Sequence, residues 1–222
     1  MIKKQVTFIV CLMMSIIAVA QDADRKYSTY YYQRASHFET LTISPNDIIF
    51  VGNSITDGAE WGELFSNPYV KNRGISGDTT WGLYDRLDVI LKNKPSKIFL
   101  LIGINDIGRG KDDDYVIAGI ERIVKKIRTE SPQSQLYVQS ILPVNPIYGM
   151  FNGHTSQWQR IPLLNNRIKN ISLNEGAEYI DLYTSFADKE GKMIPSYTND
   201  GLHLLGKGYL LWKDIVLPFI NR

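Results

Sequence analysis

Five short apolar runs, alternating with segments of helical periodicity, constrain the fold of this chain more than any other feature. The runs are predicted to be strands and lie at residues 48–51, 69–73, 97–102, 135–142 and 177–182. Continuous runs of bulky, often β-branched residues are typical of strands buried on both faces, as in parallel sheets covered by helices. The alternation predicts one α/β domain, a three-layer α/β/α sandwich with a mostly parallel five-stranded sheet.

The segments around these strands are predicted to be helices. Their ranges are residues 27–39, 59–66, 81–91, 112–129, 161–174 and 204–220. The last helix is expected to bury one face, formed by Leu205, Tyr209, Trp212, Ile215 and Val216. Residues 103–108 and 143–160 are predicted to be loops, and a loop as long as the second is usually functional in a compact domain.

The first twenty residues have the pattern of an export signal. Lys3 and Lys4 precede an apolar stretch at residues 8–19, which is short for a membrane span and ends in Ala-Val-Ala before Gln21. The pattern predicts a signal peptide over residues 1–20 and a mature domain over residues 21–222, periplasmic or extracellular and not inserted in the membrane. An uncleaved N-terminal anchor is the alternative. The only cysteine, Cys11, lies in this segment, so no disulfide is expected in the mature chain.

Charge and histidine content exclude some classes of partner. The chain has 25 Lys and Arg against 23 Asp and Glu, a formal net charge of +2. This near balance argues against nucleic acid or an anionic membrane surface as the main partner. The 3 histidines in the chain argue against a histidine-rich metal site.

A serine turn follows the first predicted strand. Gly52 interrupts the apolar run, and Ser54 stands two residues further on, where open α/β sheets bind ligands. A strand, Gly-x-Ser and a turn into a helix can present a serine hydroxyl as a nucleophile elbow does. The sequence here is Gly-x-Ser-x-Thr, which does not match the ordinary α/β-hydrolase elbow. Taken alone, the pattern is equally typical of a simple turn.

Further polar residues are predicted to meet Ser54 at the same edge of the sheet. Gly74 and Asn105 also follow predicted strands, and the carboxyl ends of parallel strands share one edge. Asp200 and His203 are three residues apart before the last helix, so the carboxylate can orient the imidazole and leave Nε2 to accept the serine proton. The Ser54 N–H, the Gly74 N–H and the Asn105 amide are candidate donors to an oxyanion.

Each of these residues also has a structural interpretation. Asn105 alone is compatible with a turn cap, and His203 alone with a capping or packing histidine. His154 is a rival base, but no carboxylate stands near it in the sequence. The acidic residues of these loops are expected to brace them by hydrogen bonds: Asp57, Asp78 and Asp106.

Aromatic residues near the predicted edge are candidates for an acyl or sugar pocket. They are Trp61, Trp81, Tyr148, Phe151 and Trp158. For Trp61 and Trp81, packing in the core is an equal alternative. For the three aromatic residues of the loop, the pocket is the favoured interpretation.

Four blocks of the sequence together resemble the SGNH (GDSL-type) hydrolases. They are residues 52–57 (GNSITD), 72–79 (NRGISGDT), 103–106 (GIND) and 200–203 (DGLH), in the family's order. The resemblance implies a flavodoxin-like fold and ester hydrolysis without a cofactor or metal. The similar branch contains bacterial acylhydrolases related to platelet-activating-factor acetylhydrolase subunits and to carbohydrate acetylesterases. One departure is Asn53, where the family usually has Asp.

The resemblance also implies roles: Ser54 as nucleophile, Gly74 and Asn105 as oxyanion donors, His203 as base and Asp200 as its orienter. The sequence thus predicts an exported serine esterase that removes short acyl groups, in the first place acetyl, from carbohydrates. A lysophospholipase or thioesterase with the same residues is one alternative, and a non-catalytic glycan-binding protein on this fold is another. The expected partner is a small-molecule or glycan ester, and the oligomeric state stays open.

Overall fold

In the computed structural model, which describes residues 26–222, a five-stranded parallel sheet is covered by helices on both faces. The strands run in the order β2-β1-β3-β4-β5, which is the flavodoxin-like order. They are β1 Ile48–Gly52, β2 Val70–Gly74, β3 Lys97–Leu101, β4 Gln135–Gln139 and β5 Glu178–Ile180. The predicted fold class is confirmed, and every strand pair is parallel. The predicted signal segment, residues 1–20, lies outside the described residues.

Eleven α-helices connect and cover these strands within the described residues. They are α1 Thr29–Thr40, α2 Ser54–Asp57, α3 Trp61–Leu64, α4 Thr80–Asp85, α5 Leu87–Leu91, α6 Ile104–Gly108, α7 Asp113–Glu130, α8 Asn152–Thr155, α9 Ile161–Asn174, α10 Tyr183–Phe186 and α11 Gly206–Ile220. Single 3₁₀ turns lie at Pro146–Tyr148, Trp158–Arg160 and Pro195–Tyr197. None of the helices in residues 26–222 has the length and apolar character needed to cross a bilayer.

A row of aromatic rings across the sheet forms one half of the core. The register pairs Phe50 with Phe99 and Phe99 with Tyr137, and the ring centroids lie 4.7 Å and 4.6 Å apart. Trp61 stacks on Phe50 at 4.1 Å, and Trp212 of α11 meets Trp61 edge-on at 4.8 Å. Fully burying one side chain of this class contributes roughly 1.5–3 kcal/mol. The row therefore fixes α3 and α11 on the same face.

The opposite face is covered by α4, α7 and α9, with α7 in contact with the other two helices. Asp112 begins α7 by accepting the Tyr115 N–H at 2.7 Å, and the helix turns Ile120, Ile123 and Val124 into the core. Asp112 satisfies a backbone donor that has no partner within the helix, and such a cap stabilises a helix by about 1 kcal/mol. Because strand side chains alternate, the two faces of each strand enter two separate apolar layers.

The predicted helix over residues 81–91 is two helices in the structure, and Arg86 separates α4 from α5. The buried Arg86 guanidinium contacts Asp78 at 2.8 Å, the Arg73 carbonyl at 2.8 Å and the Gly52 carbonyl at 3.1 Å. The guanidinium reaches these three acceptors from the position where the helix is interrupted. Arg86 thereby ties the ends of β1 and β2 to the loop that follows β2.

Other predicted boundaries differ for local reasons. Residues 104–108, predicted to be a loop, form the short helix α6, and the predicted 143–160 loop contains α8 and two 3₁₀ turns. The closing helix begins at Gly206, so Leu205 lies before it and is 39% exposed rather than buried. Trp212 and Val216 are buried as predicted, while Tyr209 and Ile215 are partly buried against the core.

Candidate active site

The turn after β1 presents Ser54 at the carboxyl edge of the sheet. A Cβ atom on Gly52 would meet the Leu101 carbonyl oxygen at 2.2 Å, so only glycine fits between β1 and β3 there. Asn53 then begins α2, and its Oδ1 accepts the Ile55 N–H at 3.0 Å. Ser54 is the first residue of that helix, where a backbone N–H has no partner within the helix.

Three side chains predicted from distant parts of the chain form one chain of hydrogen bonds. The Ser54 Oγ lies 3.0 Å from the His203 Nε2, and the His203 Nδ1 lies 2.7 Å from the Asp200 Oδ2. The other Asp200 oxygen accepts the N–H groups of Leu202 and His203, both at 2.8 Å. Gly201 makes this tight turn with a φ of +84°, a conformation that favours glycine.

The electrostatics of Asp200 suit the support of an imidazole. Burial opposes ionisation of this carboxyl, but the N–H groups of Leu202 and His203 and the imidazole outweigh it, so the pKa of Asp200 lies below its usual value. A carboxylate accepts the proton on the His203 Nδ1. The Nε2 lone pair is then available to the Ser54 hydroxyl.

Gly74 does not supply the free N–H that the sequence predicts. Its N–H donates to the Asn72 side-chain oxygen at 2.7 Å, and the residue is buried. A Cβ atom at Gly74 would meet the Asp57 nitrogen at 2.3 Å. This glycine is therefore required because the end of β2 packs tightly against α2, and the prediction that its N–H is a free donor is wrong.

Gly77, three residues further on, has the properties expected of that donor. It is exposed, has a φ of +79°, and its N–H has no acceptor among residues 26–222. Its carbonyl accepts a hydrogen bond from Arg109 at 2.8 Å. Sequence reasoning missed Gly77, although a Gly-Asp pair directly before the helix cap at Thr79 is a recognisable turn signal.

Asn105 lies against the same loop. Its Nδ2 donates one proton to the Asp78 carbonyl at 2.8 Å, so the amide side chain lies beside the Asp78–Thr79 peptide, which directly follows Gly77 and Asp78 in the loop. The second Nδ2 proton has no acceptor in the described part of the chain. With the Ser54 N–H, which also lacks an acceptor there, the site offers three uncharged donors.

The prediction that three acidic residues brace these loops is confirmed. Asp57 accepts the Ser76 N–H at 3.1 Å, Asp78 pairs with Arg86, and Asp106 accepts the Thr80 N–H at 3.0 Å. Burial raises the pKa of Asp78 to about 6, against the opposing effect of Arg86. The carboxylates thus fix the backbone that carries the donors.

His154 is not placed as a base for Ser54. Its Nε2 lies 3.0 Å from the Asn105 Oδ1, whereas the Ser54 hydroxyl faces His203. Within residues 26–222, no three acidic, histidine or cysteine side chains cluster in a way that could hold a metal ion.

Trp61 and Trp81, for which the sequence leaves both a core and a pocket position open, do not line the site around Ser54. Trp61 is 1% exposed and lies within the core stack, so the pocket interpretation is wrong for this residue. Trp81 packs under the guanidinium of Arg122, whose Cζ lies 3.2 Å from the ring centroid. It therefore joins α4 to α7, and no contact connects it to Ser54 or His203.

The three aromatic residues of the loop differ in their relation to His203. Phe151 is 41% exposed and its ring meets the His203 ring edge-on at 5.1 Å. Tyr148 donates to the Thr198 carbonyl at 3.2 Å and so supports the loop that carries Asp200. The Lys192 Nζ lies 5.2 Å from the centroid of the Trp158 ring, and Trp158 makes no contact with Ser54, Asp200 or His203.

A serine, an imidazole and a carboxylate at the carboxyl edge of a flavodoxin-like sheet define a serine-hydrolase type of site. The chain belongs to the GDSL-like lipase/acylhydrolase family, whose sequence model matches residues 50–211. It is accordingly a carboxylic ester hydrolase.

Individual proteins similar to this chain include both a curated relative and solved structures. Platelet-activating factor acetylhydrolase IB subunit alpha2 of Homo sapiens is 32% identical over 173 residues, covering 73% of this chain and 71% of the relative. A Streptococcus pneumonia structure named for platelet-activating factor has a TM-score of 0.76 and 26% identity, covering 96% and 99% of the two chains. An acetylxylan esterase from Geobacillus stearothermophilus has a TM-score of 0.65 at 19% identity, covering 82% and 97%, and shares the fold.

Proposed function

We propose that this protein is an exported serine esterase that removes a short acyl group, in the first place acetyl, from a carbohydrate. The observation that carries the proposal is the chain of contacts from the Ser54 Oγ to His203 at 3.0 Å and on to Asp200 at 2.7 Å. A serine hydroxyl is a weak nucleophile at its ordinary pKa, so the adjacent imidazole is what makes it reactive.

In this proposal, the Ser54 Oγ attacks the ester carbonyl carbon and passes its proton to the His203 Nε2. The carbonyl electrons move to oxygen, and the resulting oxyanion accepts hydrogen bonds from the Ser54 N–H, the Gly77 N–H and the Asn105 Nδ2. The intermediate collapses by expelling the alcohol, which takes the proton from Nε2 and leaves an acyl-serine. Water then repeats the sequence and releases the acid. A positioned imidazole contributes roughly 10²–10⁴ in rate, and one oxyanion donor about 2.7–4 kcal/mol.

Support for an acetyl ester comes from the similar proteins and from the site. The human relative is named an acetylhydrolase, and the Geobacillus structure on the same fold is an acetylxylan esterase. The exposed Phe151 ring beside His203 offers an apolar face to one side of a sugar ring. Export is proposed from the basic start and the apolar stretch of residues 1–20.

A second candidate is an ester with a larger apolar part, such as a lysophospholipid. Ile147 is 74% exposed and Met150 48% exposed, in the same segment as Phe151. These three exposed apolar side chains lie within five residues of one another in the sequence, and the Phe151 ring contacts His203. A large apolar substrate could cover more of this exposed apolar surface than a small acetylated sugar.

A panel of p-nitrophenyl esters separates the two candidates. The proposal expects faster turnover of acetate than of decanoate, and faster decanoate turnover would transfer the assignment to the second candidate. Acetylated xylo-oligosaccharides and O-acetylated sialic acids then test the carbohydrate part of the proposal.

Ser54→Ala is the control for all of these assays. It should reduce hydrolysis of every ester to background, and a fluorophosphonate should label the wild-type serine only. A protein that binds acetylated glycans but is neither labelled nor hydrolytic would be the non-catalytic alternative.

A further inference from the structure

The carboxamide of Asn105 is held from both ends. Its Nδ2 donates to the Asp78 carbonyl at 2.8 Å, and its Oδ1 lies 3.0 Å from the Nε2 of His154. Because an amide oxygen can only accept, His154 must carry a proton on Nε2. We propose that His154 is a positioning residue, which fixes the orientation of the Asn105 amide so that its free proton is presented to the substrate oxyanion. This inference rests on the proposed function, in which Asn105 is an oxyanion donor.

The two contacts allow only one orientation of the amide. If the side chain were turned over, its oxygen would face the Asp78 carbonyl and its NH₂ group would face the Nε2 proton of His154. The 7% exposed Asn105 would then lose its hydrogen bond to Asp78, and the contact with His154 would be regained only if the imidazole moved its proton to Nδ1. With His154 absent, only the Asp78 carbonyl would select the orientation.

The chain makes room for His154 by placing a glycine opposite it. A Cβ atom on Gly108 would meet the Nε2, Cδ2 and Cε1 atoms of the His154 ring at 2.2–2.4 Å. A Cβ atom on Gly153 would meet the Gly108 carbonyl oxygen at 2.6 Å. Two glycines therefore let α6, which carries Asn105, and α8, which carries His154, approach closely enough for the contact.

The surroundings of His154 favour a neutral donor. Burial lowers the pKa of His154, the positive charges that His203 and Arg109 can carry act in the same direction, and a hydrogen bond with the Phe151 backbone opposes them without outweighing them. The Phe151 ring stands edge-on to His154 at 6.1 Å and brings no charge. A neutral imidazole with its proton on Nε2 orients the amide without adding a full positive charge next to the catalytic base.

Three substitutions of His154 distinguish a positioning role of its side chain from a packing role. His154→Leu keeps an apolar side chain against Gly108 but removes the donor. His154→Gln can place an N–H near the position of Nε2, whereas the shorter His154→Asn has the same chemistry without the reach. We expect H154L and H154N to lower kcat for p-nitrophenyl acetate roughly 10- to 100-fold, the scale of a misplaced group, with KM changed less than about twofold. H154Q should recover most of the loss.

A double-mutant cycle and a spectroscopic measurement complete the test. In an Asn105→Ala background, H154L should cause no further loss of kcat, because the group that it positions is absent. In ¹⁵N-labelled protein, the Asn105 side-chain NH₂ signals should shift in H154L and H154N and stay close to wild type in H154Q. Unchanged signals in H154N, or equal losses in H154Q and H154N, would overturn the proposal.

The test of His154 as a positioning residue can fail independently of the test of the proposed function. If the wild-type protein hydrolyses no ester, or if S54A is as active as wild type, the proposed function fails. The NH₂ signals of Asn105 still decide whether His154 orients the amide. If H154L does not fold, the matched pair H154Q and H154N decides alone, because both carry a polar amide of the same kind.

Discussion

Both ends of the parallel sheet contain buried polar groups, but the hydrogen-bonding needs of these groups are met differently at the two ends. At the amino ends, the Lys97 Nζ donates to the carbonyls of Phe219 and Ile220 at 2.8 Å and 2.9 Å and so caps the end of α11. The hydroxyls of Ser131 and Ser134, 2.7 Å apart before β4, also share a hydrogen bond. Each of these side chains serves only the fold.

At the carboxyl ends, donors remain without protein partners. Within residues 26–222, the N–H groups of Ser54 and Gly77 and one proton of Asn105 have no acceptor, and the buried Asn53 Nδ2 is unpaired. An unpaired polar group costs stability, and a fold keeps such groups where a ligand can use them. Substitutions that remove one of these unpaired donors at the carboxyl edge should therefore act mainly on turnover, and substitutions at the amino edge mainly on stability.

The largest effect is expected from Asp200→Asn. Asparagine keeps an oxygen to accept the N–H groups of Leu202 and His203, so the turn should survive and the melting temperature should change little. Its NH₂ group would face the His203 Nδ1 and favour the wrong tautomer, which lowers kcat by roughly 10²–10⁴. Steady-state kinetics with p-nitrophenyl acetate measure this. A variant within a factor of about three of wild type would remove Asp200 from the mechanism.

The next effect is expected from Asn105→Ala, which removes one uncharged donor. Loss of one oxyanion donor lowers kcat by roughly 10²–10³. KM should change little, because the interaction strengthens only when negative charge develops on the substrate oxygen. A rise in KM at constant kcat would instead identify Asn105 as a ground-state binding group.

The assignment of Gly77 in place of Gly74 is tested by two alanine substitutions. Gly77→Ala has open space for its Cβ but a φ of +79°, so it should fold with a loss of about 1–2 kcal/mol and shift the N–H. Its kcat should fall on the order of 10²-fold, as for a misplaced catalytic group. Gly74→Ala would place a Cβ 2.3 Å from the Asp57 nitrogen, so its main effect should be on folding.

Thermal unfolding and turnover of both variants, measured side by side, distinguish these roles. A stable Gly74→Ala protein with lost turnover, beside an active Gly77→Ala protein, would restore Gly74 as the donor.

Features that depend on neighbouring residues or on strand order can be predicted from the sequence. The strands are predictable because β1 and β3 are apolar on both faces, a pattern that is local in sequence. The meeting of Ser54, Asp200 and His203 at one edge follows from parallel topology together with a resemblance spread over four blocks. Neighbouring residues thus determine the strands, and the order of the strands determines where the three side chains meet.

Contacts between side chains from distant segments are not predictable in this way. The Gly74 N–H is occupied because the Asn72 side chain turns back onto it, and Arg86, at the break between α4 and α5, reaches Asp78 and two strand ends. Trp61 at helical spacing is compatible with a core or a pocket, and only the stack on Phe50 decides. His154 meets Asn105 across 49 residues, through a segment without a regular pattern.

Lys97→Met tests the amino edge. Methionine keeps most of the apolar stem but leaves the carbonyls of Phe219 and Ile220 without their donor. Leaving buried acceptors unpaired costs about 1–3 kcal/mol, which for a domain of this size lowers the melting temperature by roughly 2–4 °C per kcal/mol. Turnover at 25 °C should stay at the wild-type value. A loss of kcat without a loss of stability would contradict the separation of the two edges.

The smallest effect is expected in the pH dependence of stability. The pKa of Asp200 is lower in the folded protein than in the unfolded chain, so the unfolded state binds the proton more tightly. The stability that this carboxylate contributes is therefore fully present above its unfolded pKa of about 3.9 and is lost as the pH falls through the folded pKa. Urea unfolding of wild type and D200N between pH 7 and pH 3 should show a difference in unfolding free energy that shrinks only below about pH 4. A difference that instead shrank between pH 7 and pH 5 would mean that ionisation of another group, and not of Asp200, stabilises this turn.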